Sequence, residues 1–319
     1  MVSAPLVSIV TPTLNQGALI EDTLRSIRAQ SYSNLEHVIV DGGSSDGTLA
    51  VLKRYEGTYR MSWLSEPDSG MYDAVNKGML RASGEILAYL NSDDLYFPWT
   101  VELVVRAFEE HPEVELVYGD AMVVREGTRE TALLLYPPVR PGYLRRTGFL
   151  CQPTAFWRRR AFLRLGGFDP SLNNVGDCDF WMRFEEARLA RRLDEVLAIE
   201  RFHPGAKAAY ELPRVERELR AVRARHVRTD GSMFVLRRIA DRAYGFVWRR
   251  RLLGRLLRSA AVGRGGWRGA LDGWGALVSW RRAPLAFLPG GSASLSRIID
   301  VDACVVLVCA RGSSGTAPQ

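Results

Sequence analysis

Cysteine is scarce in this sequence. The four present are Cys151, Cys178, Cys304 and Cys309. None falls into a CxxC pair or a zinc-ligand spacing, which argues against a disulfide scaffold or structural zinc and for a reducing compartment. Long apolar runs are missing too: no stretch reaches the ~18 uncharged apolar residues that cross a bilayer. The opening Met1-Val2-Ser3-Ala4-Pro5 has no basic segment, so no secretory signal is expected and a cytoplasmic location is. A phosphate-binding glycine loop is also lacking. The glycine-rich segment Val40-Asp41-Gly42-Gly43-Ser44-Ser45-Asp46-Gly47-Thr48 is not GxGxxG and carries acids where a P-loop carries lysine, against both a dinucleotide-binding fingerprint and a P-loop.

What the chain does have is length, core-forming residues and an uneven charge. Its 319 residues, 47% hydrophobic, suit one large α/β domain with an appendage, or two domains. The net charge is +7, but residues 235–285 hold 12 arginines against Asp241 and Asp272. That segment is therefore +10, and the first 234 residues are left at −3. The body is mildly acidic; the basicity belongs to the tail.

Over the first 125 residues, strand and helix signals alternate. Short β-branched runs at 6–13, 35–40, 60–64, 85–90 and 114–124 read as strands. Between them, helical periods fall at 17–30, 48–55, 71–82 and 98–110, with Asp46 placed to cap the second helix. This order predicts a mostly parallel sheet with helices on both faces. Ligands of such sheets bind beyond the carboxyl ends of the strands, where the acidic loops 41–47 and 91–94 fall. Further on, 152–157 and 196–203 read as strands, and 158–165 and 177–190 as helices.

Three motifs carry chemistry, each with a plainer reading beside it. Asp93 and Asp94, at the end of a core strand, are hard oxygen ligands suited to Mg²⁺ or Mn²⁺; alternatively they form a solvated loop capping the next helix. In the loop 40–48, glycines let backbone N–H groups approach a ligand and Asp41 can accept from a base or ribose; otherwise it is an ordinary βα turn. In Asn174-Val175-Gly176-Asp177-Cys178-Asp179, Asp177 is placed either as a general base or as a helix N-cap.

Together and in this order the motifs carry a resemblance. The segments "VSIVTPTLNQGALIEDTLRSIRAQSYSNLEHVIVDGGSSDGT", "SEPDSGMYDAVNKGMLRASGEILAYLNSDD", "CQPTAFWRR" and "GDCDFWMR" span roughly residues 5–203. In them the chain resembles the family 2 glycosyltransferases, enzymes with the GT-A fold that use nucleotide-diphospho-sugars. The resemblance implies a Rossmann-like, mostly parallel α/β sheet and a donor such as a UDP-, dTDP- or GDP-sugar. It implies donor contacts at Thr11, Pro12, Asp41, Gly43, Asp68, Gly70, Asn76, Lys77, Asn91 and Asp93. Asp93 and Asp94 are the implied ligands of a divalent cation (Mn²⁺ or Mg²⁺), with His203 either reaching the metal or merely structural. Asp177 matches the catalytic base, with Asp179 in reserve, and transfer is inverting. Three positions depart from the family pattern: Gly42 stands where many members have a second Asp, Asn91 replaces the first acid of DxD, and Val75 replaces a common Arg. Lys77 can supply that lost charge, or point to solvent.

The division expected is a catalytic domain at 1–230, with a nucleotide-sugar half (1–125) and an acceptor half (126–230). A basic helical extension (231–300) and a disordered tail (301–319) follow. In the extension Trp248, Leu252, Leu253, Leu256 and Leu257 recur at helical spacing beside Arg249, Arg250, Arg251, Arg255 and Arg258. Arginine with interfacial aromatics suits an anionic membrane surface; the rivals are nucleic-acid binding, which is not expected, and a helical cap packed on the catalytic domain. The membrane reading puts the protein on the inner face of the plasma membrane with a saccharide or lipid-linked acceptor. A GT-A-like domain without activity is the alternative function, and a nucleotidyltransferase is disfavoured by the lysine-free Pro12–Gly17 turn.

Overall fold

A computed structural model describes residues 4–125, 130–140, 142–147, 150–184, 189–203, 212–226, 293–301 and 304–311. The elements in chain order are β1 (Val7–Thr13), α1 (Ile20–Arg28), β2 (Leu35–Asp41), α2 (Thr48–Tyr55), β3 (Met61–Ser65), α3 (Met71–Arg81), β4 (Ile86–Tyr89), β5 (Leu95–Tyr96), α4 (Thr100–Glu110), β6 (Leu116–Arg125), β7 (Glu130–Leu135), α5 (Tyr143–Thr147), β8 (Phe156–Arg158), α6 (Arg159–Leu165), α7 (Gly176–Met182), β9 (Ala190–Phe202), α8 (Leu212–His226), β10 (Ala293–Val301) and β11 (Cys304–Arg311).

The chain divides into two compact units. The main one comprises residues 1–121, 138–200 and 205–228; the second comprises 122–137, 201–204 and 229–319. In the main unit the strands run in the order β6-β8-β4-β1-β2-β3. β1 pairs in parallel with β2 and β4, and β2 with β3, while β8 runs antiparallel to β4 and β6. A short antiparallel pair sets Leu95 of β5 opposite Ile199 of β9.

The parallel core follows from composition. Every residue of β1 and β4 is buried, as strands covered on both faces require. On one side Val7, Ile9, Ile86 and Ala88 pack against Ile27 of α1 and Val101, Val104, Val105 and Phe108 of α4. Ile20 and Leu24 of α1 meet Ile39 of β2 and Val51, Leu52 and Tyr55 of α2 in a second cluster. The register Val10–Tyr89 and Thr13–Asp41 brings the carboxyl ends of β1, β2 and β4 to one edge.

The structure changes some boundaries. The helix expected at 177–190 stops at Met182, and β9 starts at Ala190 instead of 196. Near that stop, the Arg183 guanidinium binds the Leu165 and Gly167 carbonyls. On β9, buried Arg192 pairs with Asp120 of β6 at 2.6 Å; tertiary pairing outweighs local periodicity here. The strand expected at 152–157 is a 3-10 turn at Gln152–Thr154 followed by the short β8. In the second unit, β10 and β11 form an antiparallel hairpin and β11 pairs with β7. Residues 293–301 and 304–311 are therefore strands where the sequence reading put the end of a helical extension and a disordered tail. Their runs Ile298-Ile299 and Val305-Val306-Leu307-Val308 have the β-branched composition strands favour.

Candidate active site

Two loops at the carboxyl edge are latched together. Backbone N–H groups of Asn15, Gln16 and Gly17 donate to Ser44 Oγ, Thr48 Oγ1 and Asp46 Oδ2, and Ser45 N–H returns to Asn15 Oδ1. Asp46 also accepts from the Thr48 N–H at the start of α2, although the helix N-cap is Gly47 and not, as expected, Asp46. Asp41 lies fully buried at the centre. Its carboxylate accepts from the Gly43 and Ser44 N–H groups and from the Ser44 and Ser65 hydroxyls. It shapes the loop, with Gly43 at φ 89°.

At position 42 the reason for glycine is visible. A Cβ there would lie 2.5 Å from Asp68 Oδ2, so the Asp68 carboxylate fills the space that a side chain would need. Asp68 Oδ1 in turn accepts from the Gly70 N–H at 2.9 Å, bending the chain into α3. Lys77 is tied to Glu66 and Asp73, each at 3.3 Å, and to the Pro67 carbonyl; it braces this turn. Asn76 faces the other way, exchanging two hydrogen bonds with the Phe168 backbone.

The Asn91–Asp94 turn is held from behind. Thr23 Oγ1 donates to the Ser92 and Asp94 carbonyls. The Asn91 amide N–H donates to Gln152 Oε1 at 3.2 Å and, at 3.5 Å, approaches Asp94 Oδ2. Gln152 is itself anchored to the Tyr89 carbonyl. Neither acid caps a helix, since the next helix begins only at Thr100. Asp94 is buried and Asp93 half-buried. Two buried oxygens at this edge have no protein partner: Asn91 Oδ1 and Thr13 Oγ1. Buried polar atoms are seldom left so, and both are suited to a bound ligand.

The remaining carboxylates come from α7 and β9. Asp177 sits in the first turn of α7, one residue past the start, and is not its N-cap. Tyr72 OH donates to Asp177 Oδ1 at 3.2 Å. Burial raises the pKa of Asp177, opposed by the Cys178 N–H and the Tyr72 hydroxyl. Asp179 is committed elsewhere, to Arg183 at 2.9 Å and to His226 of α8 at 2.8 Å. Glu200, on β9, is pushed up to about 7 by burial and by the charges of Asp93 and Asp177. A carboxylate that senses both residues marks a shared acidic space. His203 is buried and belongs to the second unit. Residues 235–285 lie outside the described residues; among the described residues no helix is long and apolar enough to cross a membrane.

The family model described as "Glycosyl transferase family 2" matches residues 8–166. A PGL/p-HBAD biosynthesis glycosyltransferase of Mycobacterium bovis (strain BCG / Pasteur 1173P2) is 33% identical over 199 residues, 61% of this chain and 76% of that one. The chain belongs to glycosyl transferase family 2. Solved relatives agree on the fold of this glycosyltransferase. The Pyrobaculum calidifontis mannosyltransferase PcManGT, in complex with GDP-Man and Mn²⁺, superposes with a TM-score of 0.54 at 22% identity, covering 90% of this chain and 86% of that one. S. aureus TarS gives 0.53 at 21% identity; the match covers 61% of this chain and only 36% of the TarS chain. The architecture is accordingly of the GT-A type.

Three residues of the candidate site were not anticipated: Tyr72, Thr13 and Glu200. Glu200 did leave a signal, as a carboxylate interrupting the apolar strand Val196-Leu197-Ala198-Ile199. Tyr72 and Thr13 left none, because an aromatic on a helix face and a threonine in a strand read as core.

Proposed function

We propose that the protein is an inverting glycosyltransferase that moves a sugar from a nucleotide-diphosphate donor to an acceptor hydroxyl, with Asp177 as the general base. The observation that carries this reading is geometric: the hydroxyl of Tyr72, two residues past Gly70 of the donor-side turn, bonds Asp177 Oδ1 at 3.2 Å. The charges of Asp93 and Asp177 both acting on Glu200 agree with it, as expected if donor end and base flank one space. An in-line displacement needs that arrangement, with the base activating the acceptor on the face opposite the leaving diphosphate. The raised pKa of Asp177 suits a base that must take a proton.

Donor binding on this reading uses the edge around Pro12, Thr13 and Gly43, with Asp41 acting through the loop it holds; Thr11, expected as a donor contact, is fully buried with its hydroxyl bonded to His37. Asp68 and Gly70 form the adjoining wall, while Asn76 and Lys77 brace it. The relatives supply the donor class: PcManGT was solved with GDP-Man and a TarS fragment with UDP-GlcNAc.

A divalent cation fits the residues present. The edge carries Asp93, Asp94 and the unpartnered oxygen of Asn91, all hard ligands. Asp177 and Glu200 make the space acidic, so a diphosphate would be repelled without a cation. Among the described residues no three His, Cys, Asp or Glu side chains gather to hold a metal alone; Mg²⁺ and Mn²⁺ commonly take phosphate and water ligands as well. When bound, the cation neutralises the departing diphosphate. The protein's own residues orient that group through Asn91, Asp93 and Asp94.

For the acceptor we infer a saccharide, lipid-linked in the synthesis of a cell-surface polysaccharide or glycolipid, with residues 235–285 on an anionic membrane surface. The match to a PGL/p-HBAD biosynthesis enzyme and the arginine–tryptophan composition of the tail support this. The test is titration with UDP-GlcNAc, UDP-glucose, dTDP-rhamnose and GDP-mannose with and without Mn²⁺. One donor should bind tightly only with the metal; metal-independent binding of all four, or of none, contradicts the reading.

A further inference from the structure

The base proposed above is held by a residue from the donor side of the molecule. Tyr72 lies in the first turn of α3, directly after the Asp68–Gly70 turn, and is 1% exposed. Its ring stacks on Phe168, with centroids 5.7 Å apart and planes 15° from parallel. Its other side lies on Gly176: a Cβ at that position would come within 2.6–2.8 Å of three ring carbons. Only glycine admits the ring there, and Gly176 is the residue before Asp177. From this seat the hydroxyl reaches Asp177 Oδ1 at 3.2 Å.

We propose that Tyr72 is a positioning residue for Asp177: its hydroxyl fixes one carboxylate oxygen, and with it the plane of the carboxylate, while Gly176 and Phe168 fix the ring. The proposal rests on the reading of Asp177 as the base. It also ties the base to the donor turn, because α3 starts at that turn and contributes Asn76 to the Phe168 backbone. One helix thus carries both the wall of the donor site and the two struts of the acceptor side.

The other groups around Asp177 are known. Tyr89 of β4 and Glu200 of β9 interact with it electrostatically, and the N–H and thiol of the adjacent Cys178, on which Arg223 of α8 also acts, hydrogen-bond its carboxylate. Among these groups Tyr72 is the one whose hydroxyl bonds the Asp177 carboxylate across the boundary between α3 and α7. A donated hydrogen bond favours the carboxylate over the acid, so removing it leaves Asp177 harder to ionise.

The test is Tyr72→Phe, which keeps the ring, its stacking and its seat. The Asp177 carboxyl is followed by carbon NMR in the full chain labelled at aspartate, its signal identified by subtraction with Asp177→Asn. Turnover is measured with UDP-GlcNAc and GDP-mannose plus Mn²⁺. The expected result is an upward shift of the Asp177 titration, with the acid limb of the rate profile moving likewise. kcat should fall about tenfold, the size of one lost hydrogen bond, at unchanged donor KM. Gly176→Ala, which displaces the ring, should shift the titration in the same direction and serves should Tyr72→Phe fail to fold. An Asp177 titration like that of the wild type in both variants overturns the proposal. Full turnover by Asp177→Asn would instead remove the base reading, whatever Tyr72 does.

Discussion

Gly42 shows how a departure from a family pattern is accommodated by one neighbour. The Asp68 carboxylate occupies the space beside it, so restoring an acid at 42 would set two carboxylates against each other. Gly42→Asp is expected to weaken nucleotide-sugar binding severalfold and to cost about 1–2 kcal/mol of stability, since Asp68 must give up its bond to Gly70. Calorimetric donor titration and urea unfolding check both; tighter binding in the variant would contradict this. His37 offers a separate reading by pH. It is fully buried between Thr11 and Tyr59, bonded to each through one ring nitrogen. Burial depresses its pKa to about 3, so the folded state holds it neutral while the unfolded chain takes up a proton below about 6.5. Its contribution is therefore complete above that pH and is lost as the pH falls toward 3, by up to ~1.4 kcal/mol per pH unit. In His37→Gln the unfolding free energy should be lower at pH 7 and flatter between pH 6.5 and 4; a slope equal to that of the wild type would contradict the assignment.

Among the elements, α8 was the least legible in the sequence. Its apolar positions Val215, Leu219 and Val222 do keep a helical period, but seven charged residues dilute it, and the helix owes its place to specific polar contacts. Glu218 Oε2 accepts from the Asn173 and Asn174 N–H groups, Arg225 pairs with Asp169 at 2.9 Å, and His226 meets Asp179. These hold the segment leading into α7. Asp179 thus serves as a strut, where its sequence position suggested a reserve base. Glu218→Ala should cost about 1.5–3 kcal/mol, the range for hydrogen bonds to a charged group, and should lower kcat more than donor affinity, because the segment it caps carries Asp177. Unfolding and steady-state kinetics decide this; loss of donor affinity with kcat intact would contradict it. The helices and strands of residues 7–125 were legible because burial on two faces imposes continuous apolar strands and amphipathic helices. The end of α7 and the start of β9 were not, because Arg183 and Arg192 act there through partners distant in sequence.

At the scale of the whole molecule, the parallel order of β1, β2, β3 and β4 explains why the site was legible at all. Such a sheet gathers its strand ends at one edge, so Thr13, Asp41 and Asn91 had to be neighbours once the strands were assigned. What each side chain does there was less legible, because it depends on partners: Asp41 is consumed by its own loop, Lys77 by Glu66 and Asp73. Deleting residues 235–319 should weaken binding to vesicles containing phosphatidylserine at low salt; equal binding by the truncated chain would refute the membrane reading. The central claim, that Asp177 is the base of an inverting transfer, is tested most directly by Asp177→Asn. Transfer should fall by at least about 10²-fold, the usual share of a general base, while affinity for the nucleotide-sugar with Mn²⁺ stays within about twofold, because a base acts only in the transition state. Parallel loss of transfer and binding, or transfer that survives, would contradict the account.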